Sequence, residues 1–127
     1  MSPLGASVLV ACGGAIGALG RYWLAVVMTG FLGAGLPVGT LIANVLGSFL
    51  IGAISIVAAG HYAAVAFWMV GVLGGFTTFS TFSLETVRML QEGRIAPAAI
   101  YAVLSVALCV LAAAGGMAAA RAVFPAQ

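Results

Sequence analysis

Charge is what this sequence has least of. It contains no lysine and no aspartate, and its charged side chains are four arginines (Arg21, Arg88, Arg94, Arg121) with Glu85 and Glu92. Charged residues make up 5% of the 127. An ordinary soluble domain carries about 25%, so this chain cannot clothe a water-facing surface in polar groups. A net charge of +2 on scattered arginines excludes a nucleic-acid footprint. Histidine and cysteine are nearly absent too. His61 stands alone, and Cys12 and Cys109 each sit inside an apolar run. The two thiols read as small buried hydrophobes and not as a disulfide or metal pair. No histidine lies near a membrane-buried serine, and no phosphate-binding loop is found, so the residues argue against an enzyme. No basic residue precedes Arg21, and apolar residues run on through Met28. The first segment therefore reads as a retained helix and not as a cleaved leader.

What fills the space is hydrophobic: 65% of residues. A helix needs about 20 apolar residues to cross the hydrocarbon core, and four stretches qualify. They are predicted from Leu4 to Met28, Val38 to Ala59, Tyr62 to Leu90 and Ala96 to Val123. The fold class is an all-α membrane protein, one domain over residues 1–127 with four transmembrane helices. Tyr22, Trp23, Tyr62, Trp68 and Phe124 fall near predicted helix ends, where interfacial aromatics anchor. Small residues recur every fourth position at Gly13 and Gly17, and at Gly39, Ala43 and Gly47. Such faces let backbones approach closely in lipid, within one subunit or between two. Arginines weigh toward the side of the third loop, but Arg88 and Arg94 lie close to Glu85 and Glu92. The orientation bias is weak, which permits insertion both ways round.

Polar side chains inside a membrane helix mark partners or a wet path. Thr40, Asn44 and Ser48 share one face of the second helix. The amide of Asn44 demands the most partners. Tyr101, Ser105 and Cys109 form a weaker track on the fourth. The third stretch would be about 43 Å long as one α-helix, more than the roughly 30 Å of hydrocarbon. Gly74-Gly75 near its middle, followed by Thr77-Thr78, predicts a break there. A break frees backbone groups at membrane depth, as in the broken helices that hold ions in transporters. Beyond it, Phe76, Phe79 and Phe82 alternate with Thr77, Ser80, Thr81 and Ser83. Ring edges carry positive partial charge, and hydroxyls and amides can stand in for water around a small, strongly hydrogen-bonding anion.

Three segments carry a family resemblance: Gly13-Gly14-Ala15-Ile16-Gly17-Ala18 through Arg21-Tyr22, Gly39-Thr40-Leu41-Ile42-Ala43-Asn44 through Ser48-Phe49, and Gly74-Gly75-Phe76-Thr77-Thr78-Phe79-Ser80-Thr81-Phe82. The sequence closely resembles the fluoride-specific channel family known as Fluc or CrcB. The resemblance implies an antiparallel, dual-topology homodimer in the lipid bilayer of a cell membrane, the bacterial inner membrane. Two pores would carry fluoride out of the cell passively along the subunit interface. A structural sodium ion at the dimer centre would be held by the backbone carbonyls of Gly74 and Thr77. Phe79 and Phe82 would present ring edges to fluoride, with Asn44 as the pore asparagine and Thr40, Ser80 and Thr81 in its hydroxyl surroundings. Tyr101 and Ser105 would belong to the polar track of the fourth helix, where Cys109 replaces an expected serine. Glu85 would lie near the pore mouth, and Arg21 would be a buried structural base.

Two other readings compete. A small proton-coupled multidrug-type exporter has the right size but needs a glutamate within helix 1, and helix 1 has none. A non-transporting packing subunit would suit the small-residue faces. It would leave the run of phenylalanines and hydroxyls without a purpose.

Overall fold

The computed structural model describes residues 1–33 and 35–125. Four spans are long and apolar enough to cross a membrane: Pro3–Leu32, Val38–Val57, Tyr62–Gln91 and Ile95–Val123. The protein is a multi-pass membrane protein, and every regular element among the described residues is helical. Helix α1 (Pro3–Leu32) begins where Ser2 Oγ accepts the Gly5 N–H and Pro3 takes the first helical position. A missing N–H costs nothing there. It runs four residues past the predicted end at Met28 and stops at Gly33, whose φ of 76° favours glycine. Helix α2 (Val38–Val57) follows Pro37.

The third span is in two pieces. Helix α3 (residues 62–76) begins and ends with short α-helical stretches, and Val65–Leu73 between them is a π-helix. Helix α4 covers Phe79–Gln91 and α5 covers Ile95–Val123. Between α3 and α4 the chain is extended, at φ −83°, ψ 156° for Thr77 and φ −153°, ψ 120° for Thr78. The predicted break is present, but it falls at the two threonines and not at the glycine pair. Gly74 and Gly75 are helical, and their neighbours explain why glycine is there. A Cβ on Gly75 would lie 2.6 Å from the carbonyl oxygen of Gly14, and one on Gly71 would lie 3.0 Å from Gly13 Cα. On the opposite side, a Cβ on Gly17 would overlap the Val72 carbonyl oxygen. Helices α1 and α3 therefore touch backbone to backbone, as small residues allow in lipid.

The same close approach joins α2 to α5. A Cβ on Gly52 would strike the Ala113 carbonyl, and one on Gly116 the Phe49 carbonyl. Gly13, Gly17, Gly39 and Gly47 also meet neighbours within the chain, so their stripes pack one subunit's own helices. A small apolar core of Phe82, Met89, Ala98 and Tyr101 ties α4 to α5, with Leu41 of α2 against it. Large side chains such as Leu19, Val103, Val110 and Leu111 point outward, as a lipid-facing or partner-facing surface requires. One expectation fails. Cys12 is exposed on α1, and only Cys109 is partly buried. An apolar run says that a residue sits in the membrane, not which way it faces.

Candidate functional site

Asn44 holds the break open. Its Nδ2 donates to the Thr78 carbonyl at 2.9 Å, and its Oδ1 accepts the Thr78 N–H at 2.7 Å. The amide thus replaces, at one residue, both backbone partners a continuous helix would have supplied. The Thr78 side chain then starts α4: its Oγ1 accepts the Thr81 N–H at 3.2 Å, an N-cap of the ordinary kind. The same hydroxyl donates to Thr81 Oγ1 at 3.1 Å and lies 3.3 Å from Ser80 Oγ. Ser80 and Thr81 therefore cluster at the N-terminus of α4. On the other side of the break, Arg21 Nε donates to the Gly75 carbonyl at 3.2 Å. A cation there suits the negative end of a helix dipole.

Glu85 is a second hub. Thr40 Oγ1 donates to its Oε1 and Tyr101 Oη to its Oε2, both at 2.8 Å. Three helices meet in that pair of bonds. Tyr101 also continues the aromatic row, its ring 5.2 Å from that of Phe82, which lies 5.3 Å from that of Phe79. Phe76 is not part of the row. The break turns it back toward α1 and α2, where it lies close to Gly20 and Gly47. The spacing of three that links Phe76, Phe79 and Phe82 in the sequence is cut by the extended residues between the first two.

These groups border two cavities. A lateral groove of about 420 Å³ is lined by Asn44, Ser48, Thr77, Thr78, Phe79, Phe82, Ser105 and Cys109 with three aliphatic residues. Phe82 is 9% exposed, whereas Phe79 is 74% exposed on the groove's open flank. A second cavity of about 410 Å³ is lined by Thr40, Glu85, Arg88, Glu92 and Arg94, among others. Arg94 straps the two loops beside it together. Its two terminal nitrogens donate to the Gly35 carbonyl at 3.3 and 3.4 Å, and it lies 3.6 Å from Glu92. Thr40 and Glu85 border this second cavity, and through Tyr101 and Phe82 they connect to the groove.

Ser105 carries a distinct signal. It is 5% exposed, lines the groove, and its Oγ makes no hydrogen bond among the described residues. A buried hydroxyl without a partner costs about 1–3 kcal/mol, so a polar occupant of the groove that bonded Ser105 would be favoured there. Of the predicted residues, Asn44, Phe79, Phe82 and Ser105 come together at the groove, and Thr40 and Tyr101 gather on Glu85. Ser80 and Thr81 stand apart, at the cap. Sequence reasoning found Asn44 but not its partner, because nothing in a linear pattern pairs an amide with a backbone 34 residues away. The strap from Arg94 to Gly35 left no signal either.

A four-span bundle whose broken third span faces a groove of amide, hydroxyl and aromatic groups defines a small membrane protein of the ion-handling kind. Residues 8–117 match the family model described as CrcB-like protein, Camphor Resistance (CrcB), and the chain belongs to that family. Its relatives carry the name "Fluoride-specific ion channel FluC". One from Thermus thermophilus is 52% identical over 75% of this chain and 78% of its own length. Another, from a Ruegeria species, is 51% identical over 90% of this chain and 93% of its own. A longer relative from Methylococcus capsulatus is 47% identical over 81% of this chain. The chain spans about half the length of that protein (47%).

Proposed function

We propose that the chain is a passive, fluoride-selective channel built from two subunits inserted antiparallel, with two pores along their interface. The observation that carries this reading is the groove. Phe79, Phe82, Asn44 and the unpartnered Ser105 line one cavity that is open along its flank. A lone subunit would expose that polar lining to lipid. A second copy laid against it would enclose a wet path and cover Phe79. Ring edges and hydroxyl donors offer fluoride partial positive charge without a full counter-charge to trap it. The channel would let cytoplasmic fluoride leave down its gradient. Neither the exporter nor the packing subunit gains support from this arrangement.

A structural sodium ion at the dimer centre belongs to the same proposal, and the break fits it. The Thr78 N–H turns to Asn44 and the Thr81 N–H to the Thr78 hydroxyl. In a continuous helix those N–H groups would have bonded the carbonyls of Gly74 and Thr77. Freed carbonyls of this kind favour cations, while Arg21 takes the Gly75 carbonyl between them. Gly74 and Thr77 would hold the ion, and its contribution would be to tie two broken helices together.

The deciding experiment is fluoride efflux from liposomes holding the purified protein, followed with a fluoride electrode, with potassium and valinomycin carrying the compensating charge. Fast loss of fluoride but not of chloride, with no pH gradient, is the expected result. No efflux from correctly folded protein would sink the reading, and efflux that needs a proton gradient would replace it with a coupled transporter. Phe82→Ile is expected to cut efflux at least about tenfold, a barrier change of ~1.4 kcal/mol, because an aliphatic group of similar bulk has no positive edge. Wild-type flux in that variant would remove Phe82 from the path.

A further inference from the structure

Cys109 lies one helical turn beyond Ser105 on α5 and lines the same groove, with Phe79, Phe82 and Asn44 as neighbours. The buried Ser105 hydroxyl, without a partner, gives this groove a polar atom for water or an anion to meet. A thiol reacts only as its thiolate, which needs water to form. The two observations together make Cys109 a thiol that water reaches from within the protein. Cys12 is different in kind. It is exposed on α1 and lines neither of the two cavities described.

We infer that Cys109 is a modification site in the conduction path, and that small thiol-exchange reagents occlude the groove by attaching to it. The inference rests on the channel reading. With methyl methanethiosulfonate the step is ordinary thiol exchange. Cys109 loses its proton to water, and the thiolate attacks the sulfenyl sulfur of the reagent. The new S–S bond forms as the S–SO₂ bond breaks, and methanesulfinate leaves with the electron pair as the anion, the thiol's proton remaining with water. The product carries a methylthio group on the groove wall one helical turn from Ser105, where it takes up space in the groove. Because the bond is a disulfide, a reducing thiol reverses it.

The test uses the intact protein in liposomes, treated with methyl methanethiosulfonate. Each cysteine is assayed by mass spectrometry and efflux is measured on the same batch, relative to its own untreated rate. Cys109 should be modified in the folded protein, and efflux should fall about tenfold or more and return after dithiothreitol. The loss should persist in Cys12→Ser and be missing in Cys109→Ser. Complete modification of Cys109 with unchanged efflux would overturn the inference. So would a Cys109 that stays unmodified while Cys12 reacts, or inhibition that survives Cys109→Ser. No efflux before any reagent is added is a separate failure, that of the channel itself, and overturns both readings.

Discussion

Replacing Asn44 by aspartate is expected to reduce fluoride efflux by at least about a hundredfold, corresponding to ~2.7 kcal/mol in barrier. The substitution changes no volume. It keeps an oxygen to accept the Thr78 N–H, but it sets a second oxygen against the Thr78 carbonyl, where Nδ2 now donates at 2.9 Å. Two acceptors facing each other repel, and an ionised carboxylate on a membrane helix costs about 2.5–3.5 kcal/mol more. Relief requires Thr78 to rotate. Thr78 caps α4, so that rotation moves Phe79 and Phe82 together. Asn44→Leu completes the comparison. It leaves both the N–H and the carbonyl of Thr78 without Asn44, at about 1–3 kcal/mol for each group left unsatisfied, and it should melt earlier as well as conduct poorly. Efflux and thermal unfolding of the two variants check this. Aspartate flux within a factor of about two of wild type, ~0.4 kcal/mol, would mean that Asn44 does not set the break.

A large effect on folding is expected from one methyl group at Gly116. That glycine is buried, and a Cβ there would overlap the Phe49 carbonyl oxygen and come within 3.0 Å of the Ala53 nitrogen. Both obstacles are backbone, so the helices must separate. Gly116→Ala is expected to cost about 3 kcal/mol, the upper end of ordinary overpacking. The adjacent Gly115 meets nothing within 4 Å. Gly115→Ala should be neutral or stabilising by up to ~1 kcal/mol, because alanine is the better helix former. The two variants share composition and neighbourhood and differ only in the face they occupy. Thermal unfolding in one detergent decides the point. Equal melting of the two would show that α2 and α5 do not approach as closely as described.

The spans were legible because membrane thickness sets a length that composition reveals without knowledge of any partner. The existence of a break was legible for a related reason, since the third stretch is too long to cross straight. Its position was not. Gly74-Gly75 looks like a hinge in sequence, but those glycines make room for Gly14, and a packing glycine and a hinge glycine are the same letter. What sets the position is Asn44, on another helix. In the same way Phe76 reads as one member of a stripe until the extended threonines divert it. The resemblance puts Glu85 near a pore mouth but does not say that it gathers hydroxyls from α2 and α5. Polar residues could be seen to need partners, but the sequence does not say which ones they find.

The open flank of the groove gives the proposed channel a dependence on mass action. A subunit alone in the bilayer would offer Phe79 and the groove behind it to acyl chains, and a groove filled with lipid conducts nothing. Conducting units would then form only when two subunits meet in the plane of the membrane. At high dilution in lipid, their number would rise with the square of the protein's surface density. A cell making little of this protein would have less than a proportionate share of its activity. Anything that binds across the flank of the assembled pair would raise that share without touching the path itself.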